Sequence, residues 1–450
     1  MLRLSWTQPE DLVPHALRAA ELDGIPVGDL VTDWVAAGGA AEPSVSGASP
    51  ERALDHVRTL ARDILAAVAA RTAPDALRVA EPDAFEDILR LAAPAPRLSP
   101  DTCLDRVHGA WLGRAAGCLL GKPVEKIPRH GIRAIAESTG NWPIRGYFTE
   151  IGLDAEIADA FPWNRRSRPN SLVENISGMP EDDDLNFPLI ALDLLERVGA
   201  DFTVDDVAQS WLANLPGGRV FTAERIVYRN LLDGFEPEDA ATAGNPFSDW
   251  IGAQIRTDVY GWVSPGDPAR AARLAHADGW LSHRRSGLYG ALFAAAACSA
   301  ALVASTIDEV LAAGLSVVPT GSRYAAAIRR GAELGRSALD LDDALDALYA
   351  DYGHLHWVHA LNNSALLAFA LTRGNGDFTR TITAAVSGGW DTDSVGATAG
   401  SISGALTGAR GLPFAWVDPL RNRLASSVPG FDGIGFDELA RRTLSVGTAT

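Results

Sequence analysis

Lysine is almost missing. The 450 residues hold two, Lys122 and Lys126, beside abundant arginine, an imbalance that fits codon bias in a GC-rich genome and by itself implies no mechanism. Positive charge is scarce overall: 39 Lys and Arg against 57 Asp and Glu leave a formal charge of −18. A chain so charged has little to offer nucleic-acid phosphates, so no DNA or RNA binding is expected. An acidic balance suits a site that gathers divalent cations, although most of these carboxylates must be solvated surface. The three cysteines, at 103, 118 and 298, form no CxxC pair, which suggests neither a disulfide framework nor a zinc site. The longest apolar run, roughly Leu288 to Val303, is rich in small residues and short of the about 20 needed to span a bilayer. It reads as a buried helix, and no membrane association is expected. The opening MLRLSWTQPEDLVPHAL has no apolar h-region and turns acidic early, so a cytoplasmic enzyme without a signal peptide is the expectation.

Strand patterning and internal repeats are missing too. Two regions separate near residue 100. Before it, Pro9 to Val35 and Pro50 to Thr72 carry helix-period apolar residues, joined by AAGGAAEPSVSGASP, with a helix start at Ser49-Pro50. LAAPAPRLSP (91–100) is a second linker, because its prolines cannot sit inside a helix. Residues 1–100 therefore read as a small helical extension of undisclosed role, and residues 101–450 as the main domain. From Asp101 onward helix follows helix, including Asp105 to Leu120, Leu185 to Val198, Leu288 to Ala304 and Val395 to Thr407. The fold class is all-α.

Carboxylates gather at two loop-to-helix junctions. The first is Met179-Pro180-Glu181-Asp182-Asp183-Asp184-Leu185-Asn186. Helix capping explains one or two of its acids, each worth about 0.3–1 kcal/mol at a helix N-terminus. Four adjacent like charges repel, so without a cation the run costs stability; cap and metal site both stay open for it alone. The second is Ser387-Gly388-Gly389-Trp390-Asp391-Thr392-Asp393-Ser394, leading into the small-residue helix ATAGSISGALTG. An Asp/Ser cap behind a Gly turn explains one aspartate well and the other poorly. Together the clusters offer oxygen ligands without His or Cys, which select Mg²⁺, Mn²⁺ or Ca²⁺. The carboxylates suffice for two ions about 3.5–4 Å apart, the expected arrangement, with one ion as the alternative.

Three motifs resemble those of the ADP-ribosylglycohydrolase family, the all-helical relatives of the dinitrogenase-reductase-activating glycohydrolase. HGAWLGRAAGCLLGKPVE (108–125) is similar to the family's opening helix and its Gly-Ala-Pro-x-Glu-like turn. EDDDLNFPLIALDLL (181–195) sits where the family has Thr-Asp-Asp-Thr, and SGGWDTDSVGATAG (387–400) looks like Gly-Gly-Asp-Thr-Asp-Thr with Trp390 inserted. The resemblance implies a large orthogonal helical bundle and a Mg²⁺-dependent hydrolase, with two ions and Mn²⁺ as the alternative. It implies metal ligands Glu181, Asp182, Asp183, Asp391, Asp393 and Ser394, with Glu181 in place of a threonine; a frame that uses Asp184 stays open. Glu125 falls on the carboxylate beside the reacting ribose, so Glu125, Asp391 and Asp393 are the expected catalytic residues. Cys118 replaces the usual Asp and reads as inert.

The same resemblance places Gly252, Ala253, Gln254, Ser282, His283, Gly388 and Gly389 against an ADP-ribosyl substrate. Helix packing and a structural histidine are the competing readings of these positions. His354, His356 and His359 stand close together, but the oxygen site already accounts for the chemistry. Asn362 and Asn363 are first of all good caps. The implied reaction is hydrolysis of an ADP-ribosyl N- or O-glycosidic bond on a modified protein or small molecule. The alternatives are a glycohydrolase of a free nucleotide-sugar metabolite and a non-catalytic ADP-ribose binder on the same scaffold.

Overall fold

Helix-period patterning decides the architecture. The computed structural model describes residues 3–449, and among them the chain forms twenty-four α-helices. β pairing among the described residues is limited to isolated bridges such as Met179 with Leu424, so the all-α expectation is met. At the centre lies Arg285–Ala301, buried from Ser286 to its end. Its Ala, Gly and Ser residues let Asp258–Trp262, Pro268–Gly279 and Ile307–Leu315 close against it. A helix covered on all sides needs no polar face, which explains the longest apolar run in the chain. No described helix is long and apolar enough to cross a membrane.

Two other helices set the geometry of the site. Leu104–Gly121 and Thr392–Thr407 run antiparallel with their backbones in contact. Glycines spaced by four face one another along this seam: Gly109 meets Gly404, Gly113 meets Gly400 and Gly117 meets Gly396, while Gly121 meets Thr392. A Cβ on any of these glycines would overlap a backbone carbonyl of the opposite helix. Thr392 Oγ1 closes the end of the seam by donating to the Gly121 carbonyl at 2.9 Å. The C-terminus of one helix thereby lies beside the N-terminus of the other. Gly117→Ala should lower stability by about 3 kcal/mol or more, because overpacking here displaces backbone, not a side chain. A shift in urea midpoint checks this, and an unchanged midpoint would mean the helices are not in backbone contact.

The first hundred residues depart from the expected pattern in two places. The stretch Pro9 to Val35 is two helices, Pro9–Leu22 and Gly28–Ala36, because Gly24 takes a positive φ of 69° and Pro26 cannot continue a helix. The helix expected from Ser49-Pro50 begins at Asp55 instead (Asp55–Ala69). Ser49 is tied elsewhere: its N–H donates to Asp11 Oδ1 at 3.1 Å and its hydroxyl accepts from Arg3 at 3.0 Å. These helices bury Val13, Leu17, Val27, Trp34 and Ile64 in a small core of their own. Trp6, Leu12, Phe85 and Ile88 instead join the main core. Arg323 pairs with Glu81 and Asp23, and Tyr289 donates to the Pro82 carbonyl at 2.6 Å. The extension is thus packed onto the larger body.

Candidate active site

The glycine seam delivers two chain ends to one spot. Past Gly121 the chain turns through Lys122–Val124 to Glu125, while the opposite helix begins with Asp391 and Asp393. Asp183–Val198 points its own N-terminus at the same place, with Asp182 as its cap. All three meet in a cleft of about 1240 Å³, lined by Glu125, Glu181, Asp182, Asp183, Asp184, Asp391, Asp393 and Ser394. The two acidic clusters, about 210 residues apart in sequence, share this one cavity.

The second cluster and Asp183 are crowded with negative charge. Asp391 and Asp393 are 6% and 8% exposed and share a side-chain hydrogen bond. Burial, then the Asp393 charge, pushes the Asp391 carboxyl well above the usual range. Burial, then Glu125 and Asp182, raises Asp393 to about 7. Asp183 is also pushed well up, by burial and then by Asp182 and Asp393. Carboxylates that repel one another in a cleft fit a hard cation, and Asp183 receives a hydrogen bond from no other described residue.

The other acids are already engaged. Asp182 accepts from the Asp184 N–H at 2.9 Å through one oxygen and pairs with Lys122 through the other. Glu181 accepts from Asn186 Nδ2 at 3.1 Å and pairs with Arg219. Asp184 accepts from Ser394 Oγ at 3.3 Å and from Arg114 Nη2 at 3.4 Å. Cys118, Asp182 and Asp184 bring potential ligand atoms within 4.8 Å of one another. Burial and the nearby acids hold the Cys118 thiol well up and neutral, which makes it a poor ligand.

These shifts set a pH dependence. Each raised carboxyl holds a proton in the folded state that the unfolded chain, with an ordinary pKa of about 4, has released. Its stabilising contribution is therefore complete below about pH 4 and lost as pH rises through about 7 for Asp393. Without added divalent cation, the urea midpoint should be lower at pH 8 than at pH 5, and Asp393→Asn should shrink the difference. An identical difference in the variant would contradict the crowding described above.

The expected substrate contacts divide. Gly252 lines the cleft. Ala253, Gln254, Ser282 and His283 are instead fully buried and absent from its lining. Gln254 Oε1 accepts from Ser364 Oγ at 2.7 Å and from Tyr324 at 3.2 Å. Ser282 accepts from Arg256 at 2.8 Å and lies 2.7 Å from His283 Nδ1. This set is internal because Arg256 organises it, through Glu224 at 2.6 Å and through Asp278. Gly388 and Gly389 lie behind the lining: the Gly388 carbonyl accepts from Tyr349, and Gly389 has a φ of 75°. Trp390, the inserted residue, stacks on Tyr349 at 4.3 Å.

Several contributors escaped the sequence reading. Asn164 donates to Glu125 Oε2 at 2.7 Å while Lys126 pairs with Oε1 at 3.0 Å, so both oxygens of Glu125 are held. Asn363 is more than a cap, since its Oδ1 accepts the Asp391 N–H at 3.2 Å. Ser5, Trp6 and Ser46 of the N-terminal extension form part of the cleft wall, beside Trp357, whose indole donates to the Val45 carbonyl at 3.2 Å. One signal was in view all along: both lysines of the chain line the cleft.

The solved structure described as an ADP-ribosylglycohydrolase-related protein complex aligns at 21% identity and a TM-score of 0.45, covering 77% of this chain and 98% of that chain. No curated protein matches. The family model for ADP-ribosylglycohydrolase matches residues 99–448. Because that match takes in the glycine seam and both acidic clusters, the chain belongs to the ADP-ribosylglycohydrolase family.

Proposed function

We propose that this chain hydrolyses an ADP-ribosyl N- or O-glycosidic bond and releases ADP-ribose, with a divalent cation held in the cleft, Mg²⁺ by the chemistry of its donors. The observation that carries this reading is the convergence of Asp183, Asp391 and Asp393 in one cavity with Glu125. Positive charge in the same cavity supports it. Arg165 and Arg166 line the same space and form no ion pair among the described residues, which suits a diphosphate. When bound, a divalent cation supplies Lewis acidity toward water and sugar hydroxyls.

The chain's own groups then divide the work. Asp391 and Asp393 orient the attacking water and take its proton as its oxygen bonds to the ribose C1. Glu125, fixed as a carboxylate by Asn164 and Lys126, orients the ribose and faces the positive charge that develops at C1, while the proton taken from the water passes to the departing nitrogen or oxygen as the bond to C1 breaks. Paired carboxylates around an oxocarbenium-like transition state are the usual glycosidase arrangement. The wall contributed by Ser5, Trp6 and Ser46 narrows the cleft and favours a small-molecule conjugate over a bulky protein acceptor as the second reading.

The test is a panel of ADP-ribosyl-arginine, ADP-ribosyl-serine, O-acetyl-ADP-ribose and an ADP-ribosylated protein, each assayed with Mg²⁺ and with EDTA. Release of ADP-ribose from at least one, lost in EDTA and restored by Mg²⁺, is expected. Tight calorimetric binding of ADP-ribose with no turnover of any substrate would replace the enzyme by a binding protein. Turnover unaffected by EDTA would remove the cation.

A further inference from the structure

Trp357 stands between the N-terminal extension and Glu125. Its indole Nε1 donates to the Val45 carbonyl of the extension at 3.2 Å. The Lys126 ammonium lies over the same ring, 5.1 Å from its centroid, and pairs with Glu125 Oε1 at 3.0 Å. Backbone and indole are held by different parts of the chain. Helix Ala360–Gly374 fixes the backbone: Asn363 Nδ2 donates to the Trp357 carbonyl at 2.8 Å, and Asn362 Nδ2 to the His356 carbonyl at 3.1 Å. The extension fixes the ring.

Lys126 needs such a support. Its side chain is 43% exposed, and an ion pair in contact with water holds a long, flexible side chain weakly. Its backbone takes a φ of 71°, a left-handed conformation that a lysine seldom adopts unless its surroundings impose it. An aromatic face under the ammonium adds attraction and removes freedom from the stem. We propose that Trp357 is a positioning residue for the hydrolytic reaction proposed above, on which this role rests: it holds Lys126 and, through Lys126, the Glu125 carboxylate that meets the ribose. The extension then does more than wall the cleft, because its Val45 carbonyl orients the ring.

Two readouts on the full chain test this, one of them independent of turnover. The chain has two lysines, and the side chain of the other, Lys122, is 8% exposed. Acylation of Lys126 by an amine-reactive ester can therefore be followed by mass spectrometry of its peptide. Trp357→Leu should speed that acylation about two- to fivefold, the factor equivalent to an exposed cation–π contact. With a substrate that the wild type turns over, Lys126→Met should lower kcat about tenfold with little change in KM, since Glu125 acts on charge that develops as the bond breaks. Trp357→Leu should lower kcat about two- to fivefold, and the double variant should fall no lower than Lys126→Met, because the ring acts through the ammonium. Trp357→Phe, which keeps a ring face, should recover part of the loss. Additive losses, an unchanged acylation rate, or a rise in KM alone would each overturn the proposal. Full kcat in Lys126→Met would overturn it even if Trp357→Leu failed to fold. Absence of turnover by the wild type on every substrate would instead bring down the hydrolytic reading, while the acylation rates would still report whether the ring holds Lys126.

Discussion

Asp391→Asn should reduce turnover by at least about 10³-fold while raising the thermal stability of the cation-free protein above pH 7. A positioned acid–base group alone contributes about 10²–10⁴-fold, and this residue is proposed to hold both water and cation. Stability moves the other way because the folded chain raises the Asp391 carboxyl through burial and the Asp393 charge. Removing a charge that the fold disfavours relieves repulsion. Loss of helical structure is not expected. The Asp391 side chain makes no capping bond, and the backbone N–H that Asn363 accepts is retained. Initial rates and melting curves at pH 8, with and without Mg²⁺, check both halves. Full activity would remove Asp391 from the chemistry, and a large fall in stability would make it a structural residue.

Arg114→Met should destabilise the protein by about 3–5 kcal/mol, the usual penalty for stripping the partner from a buried ion pair. Arg114 is fully buried, with Nη1 2.7 Å from Asp258 Oδ2 and Nε 2.7 Å from the Asp184 carbonyl. It also donates to the Ile255 carbonyl and reaches Asp184 Oδ1. Burial raises both Asp184 and Asp258, and the Arg114 charge is the largest influence opposing this at each. Without it two carboxyls lose their counter-charge and the start of Asp183–Val198 loses its anchor. Equilibrium urea unfolding should show the drop, and the double variant Arg114→Met with Asp258→Asn should recover part of it. No recovery would mean that Arg114 acts through packing alone.

The helical class and the acidic clusters were legible because both are local signals. A 3.6-residue period and a run such as Glu181 to Asp184 need no knowledge of what lies opposite. The glycine spacing of four was equally visible in residues 109–121 and 396–404, but its meaning depends on which two helices meet. Ser282 and His283 show the reverse failure. They look like pocket residues in sequence, yet Arg256 draws them into an internal network that only the fold defines. Asn164 could not be assigned to Glu125, since nothing near either residue announces a bond spanning 39 positions. Lys122 and Lys126 were conspicuous as a composition, and composition has no location.

The strip of chain around Ser5, Trp6 and Ser46 changes where this enzyme can be cut. A version trimmed to residue 99, where the family match begins, would keep every acidic residue that lines the cleft. It would also unroof the groove beside Trp357, strip the partner carbonyl from Arg225 and expose the aromatic patch of Phe247, Trp250 and His356 that Trp6 covers. The shortened protein would carry its chemistry in a trough open on one flank, with sticky rings at the rim.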